Sequence, residues 1–130
     1  MSEKRIVVVD DDPDFLEFIW IVLRSAGYQV DTAASAAEAL ALIRSSVPDL
    51  IISDLMMSYS LEGVELAHEI THDPTLANVP LLVVTSIAHN MDSVGFDEET
   101  AQAIKGFFTK PVSPDELLAK IGGCLSEGDE

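Results

Sequence analysis

The chain has 130 residues, 48% of them hydrophobic and 23% charged, with 7 Gly and 6 Pro, which excludes a disordered or collagen-like protein and leaves room for one packed domain. Its 23 Asp and Glu against 7 Lys and Arg give a formal charge of -16, a field that repels nucleic acid phosphates and anionic lipid. The single Cys124 cannot form an internal disulfide, no basic segment followed by an apolar stretch opens the chain, and no apolar run approaches the roughly 20 residues of a membrane span. A cytoplasmic location is expected.

The first apolar run, Ile6-Val7-Val8-Val9, is β-branched, continuous and ends at three aspartates, which predicts a strand buried on both faces. Asp12-Pro13 supplies a helix cap and a preset first helical residue, and Phe15, Ile19, Val22, Leu23 and Ala26 recur at helical spacing until Gly27 ends the pattern. Tyr28 to Thr32 reads as a weaker second strand. Ser35-Ala36-Ala37-Glu38 is a capping box that opens a helix through Leu40, Leu42 and Ile43, and Pro48 closes it. Leu50-Ile51-Ile52-Ser53 predicts a third strand ending at Asp54, followed by a loop to about Leu61 and a helix carrying Val64, Leu66, Ala67 and Ile70 to Asp73-Pro74. The fourth strand is read as Pro80 to Val84, ending at Thr85.

From Ser86 to Glu99 the sequence is polar and weakly patterned, with a helix expected from Glu98 to Lys105. Gly106-Phe107-Phe108-Thr109 predicts a short fifth strand, and Ser113-Pro114-Asp115-Glu116 caps a last helix through Leu117, Leu118, Ile121 and Leu125. Five strands alternating with five helices, with strands too apolar to be half exposed, predict an α/β fold whose parallel sheet is covered on both faces.

In an open parallel sheet, ligands bind beyond the carboxyl ends of the strands. Here the first strand ends in Asp10-Asp11-Asp12, the third in Asp54, the fourth in Thr85-Ser86 and the fifth in Lys110. A strand order of 2-1-3-4-5 sets the first and third strands side by side and brings Asp10, Asp11 and Asp54 into one pocket. Two carboxylates about 5 Å apart repel by roughly 3 kcal/mol at an effective dielectric near 20. Such a cluster calls for a counter-charge, supplied by Lys110 and by a hard divalent cation, for which Mg²⁺ with its oxygen ligands is the natural candidate. A pocket of this kind suits phosphate, and an ionised Asp in it can attack phosphorus.

On these residues the chain resembles the receiver domain of two-component response regulators, over nearly its whole length. Val8-Val9-Asp10-Asp11-Asp12 is similar to that family's acidic pair, Asp54-Leu55-Met56-Met57 to its phosphoacceptor segment, Val84-Thr85-Ser86 to its hydroxyl position and Lys110-Pro111 to its lysine and proline. The resemblance implies a flavodoxin-like, doubly wound (βα)5 fold with a receiver domain over 1-126 and an acidic tail over 127-130. It further implies that Asp54 accepts a phosphoryl group and that Asp10, Asp11, Asp54 and the Met56 carbonyl hold Mg²⁺. Thr85 would bond the phosphoryl oxygens, Lys110 would pair with the carboxylate, and Phe107 would be the aromatic switch partner of Thr85. A cis Lys110-Pro111 bond is implied as well. Met56 and Ile87 fall where that family tunes the lifetime of its phosphorylated state. The implied donor is a sensor histidine kinase or a histidine phosphotransfer protein.

The sequence departs from the family pattern at Ser58, where proline is usual, and in longer intervals from Asp54 to Gly63 and from Thr85 to Lys110. Two other readings compete. Asp10-Asp11-Asp12 also reads as the Asp-x-Asp of a haloacid dehalogenase-like phosphohydrolase, although Asp14 stands where that motif favours Thr or Val. The other is a receiver-like binding module without phosphotransfer. Trp20, beside Leu16, is expected to be partly buried, and Cys124 to be a core residue. His68, His72 and His89 read as ordinary residues with no metal-site spacing.

Overall fold

The computed structural model describes residues 4–54, 62–85 and 98–127. Each β-branched run becomes a strand and each capped amphipathic run a helix. In chain order these are β1 (Arg5–Val9), α1 (Pro13–Ser25), β2 (Gln29–Ala33), α2 (Ala36–Ser45) and β3 (Leu50–Ser53). They are followed by α3 (Glu62–Thr71), β4 (Leu81–Thr85), α4 (Glu98–Ala103), β5 (Ile104–Thr109) and α5 (Pro114–Glu127). The strands form one parallel sheet in the order β2-β1-β3-β4-β5, as expected.

Successive strand residues point to opposite faces, so a continuous apolar run builds two cores at once. Val7, Val9, Ile51, Leu81 and Val83 pack on one face against Ala39 and Ile43 of α2 and Leu66 and Ile70 of α3. Ile6, Val8, Leu50, Ile52, Leu82 and Val84 pack on the other against Ile19 and Leu23 of α1 and Leu117 and Ile121 of α5. This double cover leaves the carboxyl ends of the strands as the open edge.

Several boundaries differ from the sequence expectation, each for a reason of pairing. Tyr28 belongs to the turn, not to β2, because its N–H donates to the Leu23 carbonyl at 3.1 Å. Pro80 precedes β4, since it has no N–H to offer the ladder, although its carbonyl accepts from Ile51 at 3.0 Å. Thr85 is the last residue of β4, opposite Thr109. β5 begins two residues early and shortens α4, because Ile104 pairs with Leu81 and the register then shifts before Gly106 meets Leu82. α3 stops at Thr71, and just beyond it the Asp73 carboxylate turns to accept from the Thr75 N–H at 3.0 Å and hydroxyl at 2.8 Å. Those bonds, the hydroxyl's first, hold Asp73 below the usual carboxylate range.

Two burial expectations are also corrected. Trp20 is 45% exposed, because Ile19 and Leu23 fill the buried stripe of α1 and turn it outward, where Arg24 lies 5.8 Å from its ring. Cys124 is half-buried at the margin of a core instead of inside it.

α1 ends on Gly27, whose φ of 98° lies in the left-handed region. A Cβ there meets nothing within 4 Å, so a substitution is disfavoured by the backbone alone. Gly27→Ala is expected to lower unfolding stability by about 1 kcal/mol, read from urea melts.

Candidate functional site

β1 and β3 are adjacent and pair Val9 with Ser53, so the next residue of each, Asp10 and Asp54, leaves the sheet at the same level. The Asp10 N–H donates to Ala33 at 3.1 Å and the Asp54 N–H to Val9 at 3.0 Å, which extends the ladder to the carboxylates themselves. Both side chains are buried and Asp11 is exposed, and one oxygen of each of the three lies within 4.8 Å of the others. Asp12 caps α1 by accepting from the N–H of Asp14 at 3.0 Å and of Phe15 at 3.4 Å, and its own N–H donates to Asp10 Oδ1 at 2.9 Å. The cap therefore orients the deepest carboxylate.

Lys110 follows β5 and reaches back across the edge. Its Nζ is 2.7 Å from Asp10 Oδ2 and 3.5 Å from Asp54 Oδ2, and it sits 4.4 Å from the centre of the Phe15 ring. The Lys110-Pro111 bond is cis, as the resemblance implies.

Burial pushes the Asp10 carboxyl above its ordinary value, the Asp54 charge adds to this, and the Lys110 bond only partly opposes it. Burial works against the Lys110 ammonium too, but its bond to Asp10 and the two nearby carboxylates outweigh it and hold its acidity below normal, with the pKa raised. Three carboxylates against one ammonium leave two negative charges. The donor set is all oxygen and converges on one point, so these residues fit a hard divalent cation.

Of the expected site residues, the structure brings together Asp10, Asp11, Asp54 and Lys110. The Thr85 backbone ends β4 at the same edge, while the Thr85 side chain, Met56 and Ile87 lie outside the described residues. Phe107, opposite Val83, is 49% exposed and is not part of the pocket. One contributor was not anticipated. Phe15 reads as a core position, yet its ring face carries the Lys110 ammonium; its place in the first turn of a helix that begins at the acidic pocket was the available signal.

A family model for the response regulator receiver domain matches residues 6–122. The chain belongs to this family. It is 32% identical over 126 residues to the DNA-binding dual master transcriptional regulator RpaA of Synechocystis, an alignment covering 96% of this chain and 50% of that protein. Among solved structures, a CheY-like response regulator receiver domain protein from Methanospirillum hungatei is 32% identical with a TM-score of 0.84, and 98% of each chain is covered. The response regulator TrrA from Thermotoga maritima, crystallised in complex with Mg²⁺ and BeF, is 31% identical with a TM-score of 0.79, covering 94% of this chain and 99% of that one. The chain spans about half or less of the length of the curated relatives it matches.

The receiver reading is thereby favoured over the phosphohydrolase and over a passive binding module. Among the described residues no helix is long and apolar enough to cross a membrane. The rings of His68 and His72 stack with centroids 4.1 Å apart, since residues four apart share a helix face.

Proposed function

We propose that this receiver domain is a phosphorylation-controlled switch in which Asp54 accepts a phosphoryl group from a phosphohistidine. The observation that carries the reading is the convergence of Asp10, Asp11 and Asp54 beneath the Lys110 ammonium. A carboxylate oxygen of Asp54 attacks phosphorus, the P–N bond of the donor breaks, and an acyl phosphate and a free imidazole result. Lys110 offsets charge on the phosphoryl oxygens, and the Thr85 hydroxyl donates to one of them. Asp10, Asp11, Asp54 and the Met56 carbonyl are the proposed ligands of Mg²⁺, which supplies further neutralisation of those oxygens when bound. The chemistry of the domain is its own phosphorylation and dephosphorylation. Its donor is a sensor histidine kinase or a histidine phosphotransfer protein, and both act in the cytoplasm.

The test is incubation with a small phosphodonor with and without Mg²⁺, followed by intact mass. A decaying adduct of one phosphoryl group that requires Mg²⁺ supports the proposal. Catalytic turnover of the donor points to the phosphohydrolase, and the absence of any adduct to a binding module.

Phosphorylation draws Thr85 toward the new oxygens, and Phe107, exposed in this state, turns inward as the two packings exchange population. Thr85→Ala is therefore expected to accept the phosphoryl group but to show much smaller chemical-shift changes at Phe107 on activation. Equal changes in variant and wild type would sink the coupling.

Met56 and Ile87 are large and apolar at the positions that flank the line of water attack in this family. Neither can orient a nucleophile, so the acyl phosphate is expected to decay slowly. Converting both positions, Met56→Asn with Ile87→Glu, should speed decay by at least about tenfold. A double variant that decays no faster than wild type shows that the pair does not gate the water.

A further inference from the structure

We propose that the C-terminal end of α3, where His72 directly follows the last helical residue and its N–H still donates to the His68 carbonyl at 3.1 Å, carries a second metal site, distinct from the acidic pocket, in which His68 and His72 chelate a borderline divalent cation such as Zn²⁺. The segment reads His68-Glu69-Ile70-Thr71-His72, with two imidazoles at positions i and i+4. On a helix this spacing places both rings over one turn, which is why it recurs in zinc sites. Leu66, Ala67, Ile70 and Thr71 are buried while Glu65, His68, Glu69 and His72 are exposed. The helix thus presents a stripe of two carboxylates and two imidazoles to solvent.

Two observations go beyond the spacing. The rings are already stacked with centroids 4.1 Å apart and planes 29° from parallel. Two nitrogens that each lie about 2 Å from one ion are at most about 4 Å apart, so the two rings are already neighbours at the scale that a shared cation requires, and rotation about their side-chain bonds has to turn the lone pairs together. In addition, His72 Nδ1 is 2.9 Å from the His68 carbonyl oxygen. A carbonyl can only accept, so Nδ1 donates to it, and in the neutral ring Nε2 is the nitrogen without a proton. An imidazole N–H held by a backbone carbonyl is the usual outer support of a histidine ligand.

The ligand chemistry separates this site from the one at the sheet edge. Imidazole favours Zn²⁺, whereas Mg²⁺ prefers an all-oxygen set and keeps its waters. Glu65 and Glu69 flank the rings and add negative charge in a chain already at -16, which raises the local cation concentration. The stripe faces outward from the core, so the proposal is a binding site closed by water and not a hydrolytic centre.

The experiment is a calorimetric titration of Zn²⁺ into the full chain in excess Mg²⁺, added to occupy the acidic pocket, repeated on His68→Gln, His72→Gln and His89→Gln. Removing either stripe histidine leaves a single imidazole and is expected to weaken binding by about 100-fold, whereas the His89 variant keeps the wild-type event. A stripe variant that binds within twofold of wild type overturns the proposal, as does loss of the event in His89→Gln. Because a variant can misfold, the histidine ring proton resonances of the wild type are followed in the same titration. Two of the three should move together, and a titration in which no ring responds also overturns it.

Discussion

Asp54→Asn is expected to abolish adduct formation while leaving the fold at least as stable as the wild type. The carboxamide has nearly the same volume as the carboxylate but offers no anionic oxygen to attack phosphorus, so the rate should fall by at least roughly 10³-fold. The electrostatics of the pocket predict the second half of the result. Asp54 is one of the charges that push the Asp10 carboxyl above its ordinary value, after burial itself. Removing it relieves a like-charge repulsion, and Lys110 keeps its shorter contact, 2.7 Å to Asp10. The melting temperature in Mg²⁺-free buffer is therefore expected to be unchanged or higher. Intact mass after exposure to the phosphodonor measures the first effect and a thermal melt the second. An Asp54→Asn protein that gains a phosphoryl group at the wild-type rate places the acceptor elsewhere.

The parts of this molecule that were legible in the sequence are those decided within a few residues. β1 and β3 are short runs that cannot be half exposed, and every residue of β3 is buried. The Asp12-Pro13 and Ser35 to Glu38 caps open helices where expected, since a cap bonds to its own first turn. The site was legible for a related reason. A polar residue directly after a buried strand must emerge at the sheet edge, and strand order alone then makes neighbours of Asp10 and Asp54.

What could not be read depends on partners distant in sequence. The start of β5 at Ile104 is set by pairing with Leu81, and the outward Trp20 by which residues of α1 the sheet accepts. Phe15 looked like any core aromatic, because only the return of the chain at Lys110, far along the sequence, places an ammonium on its ring. The stacking of His68 on His72 needs both the helical course of the chain and the two rotamers, and only the first of these is set by spacing.

Lys110→Met is expected to have the largest effect on stability. The substitution keeps an unbranched apolar stem and removes the ammonium that lies over the Phe15 ring. Breaking a buried ion pair from one side usually costs roughly 3–5 kcal/mol, because the other charge is left uncompensated. Here the exposed Asp11 marks one side of the pocket as open to solvent, so about 2 kcal/mol is expected at neutral pH. The pH dependence identifies the cause. In the wild type, the raised Lys110 pKa contributes stability that is fully present below 10.5 and is lost as pH rises through the raised value. In the variant, the Asp10 carboxyl, already raised from 3.8, is pushed higher still, and its ionisation opposes folding as pH climbs from 3.8 through that raised value. The deficit should therefore shrink on acidification, as Asp10 takes up the missing proton. It should also shrink when Mg²⁺ is added, because an ion bound only by the folded state replaces the lost charge and stabilises by mass action. Urea melts of both proteins at neutral and mildly acidic pH, with and without Mg²⁺, separate these contributions. A deficit that is the same at both pH values and indifferent to Mg²⁺ would mean that Lys110 acts through its packing, and that Asp10 and Asp54 do not share its charge.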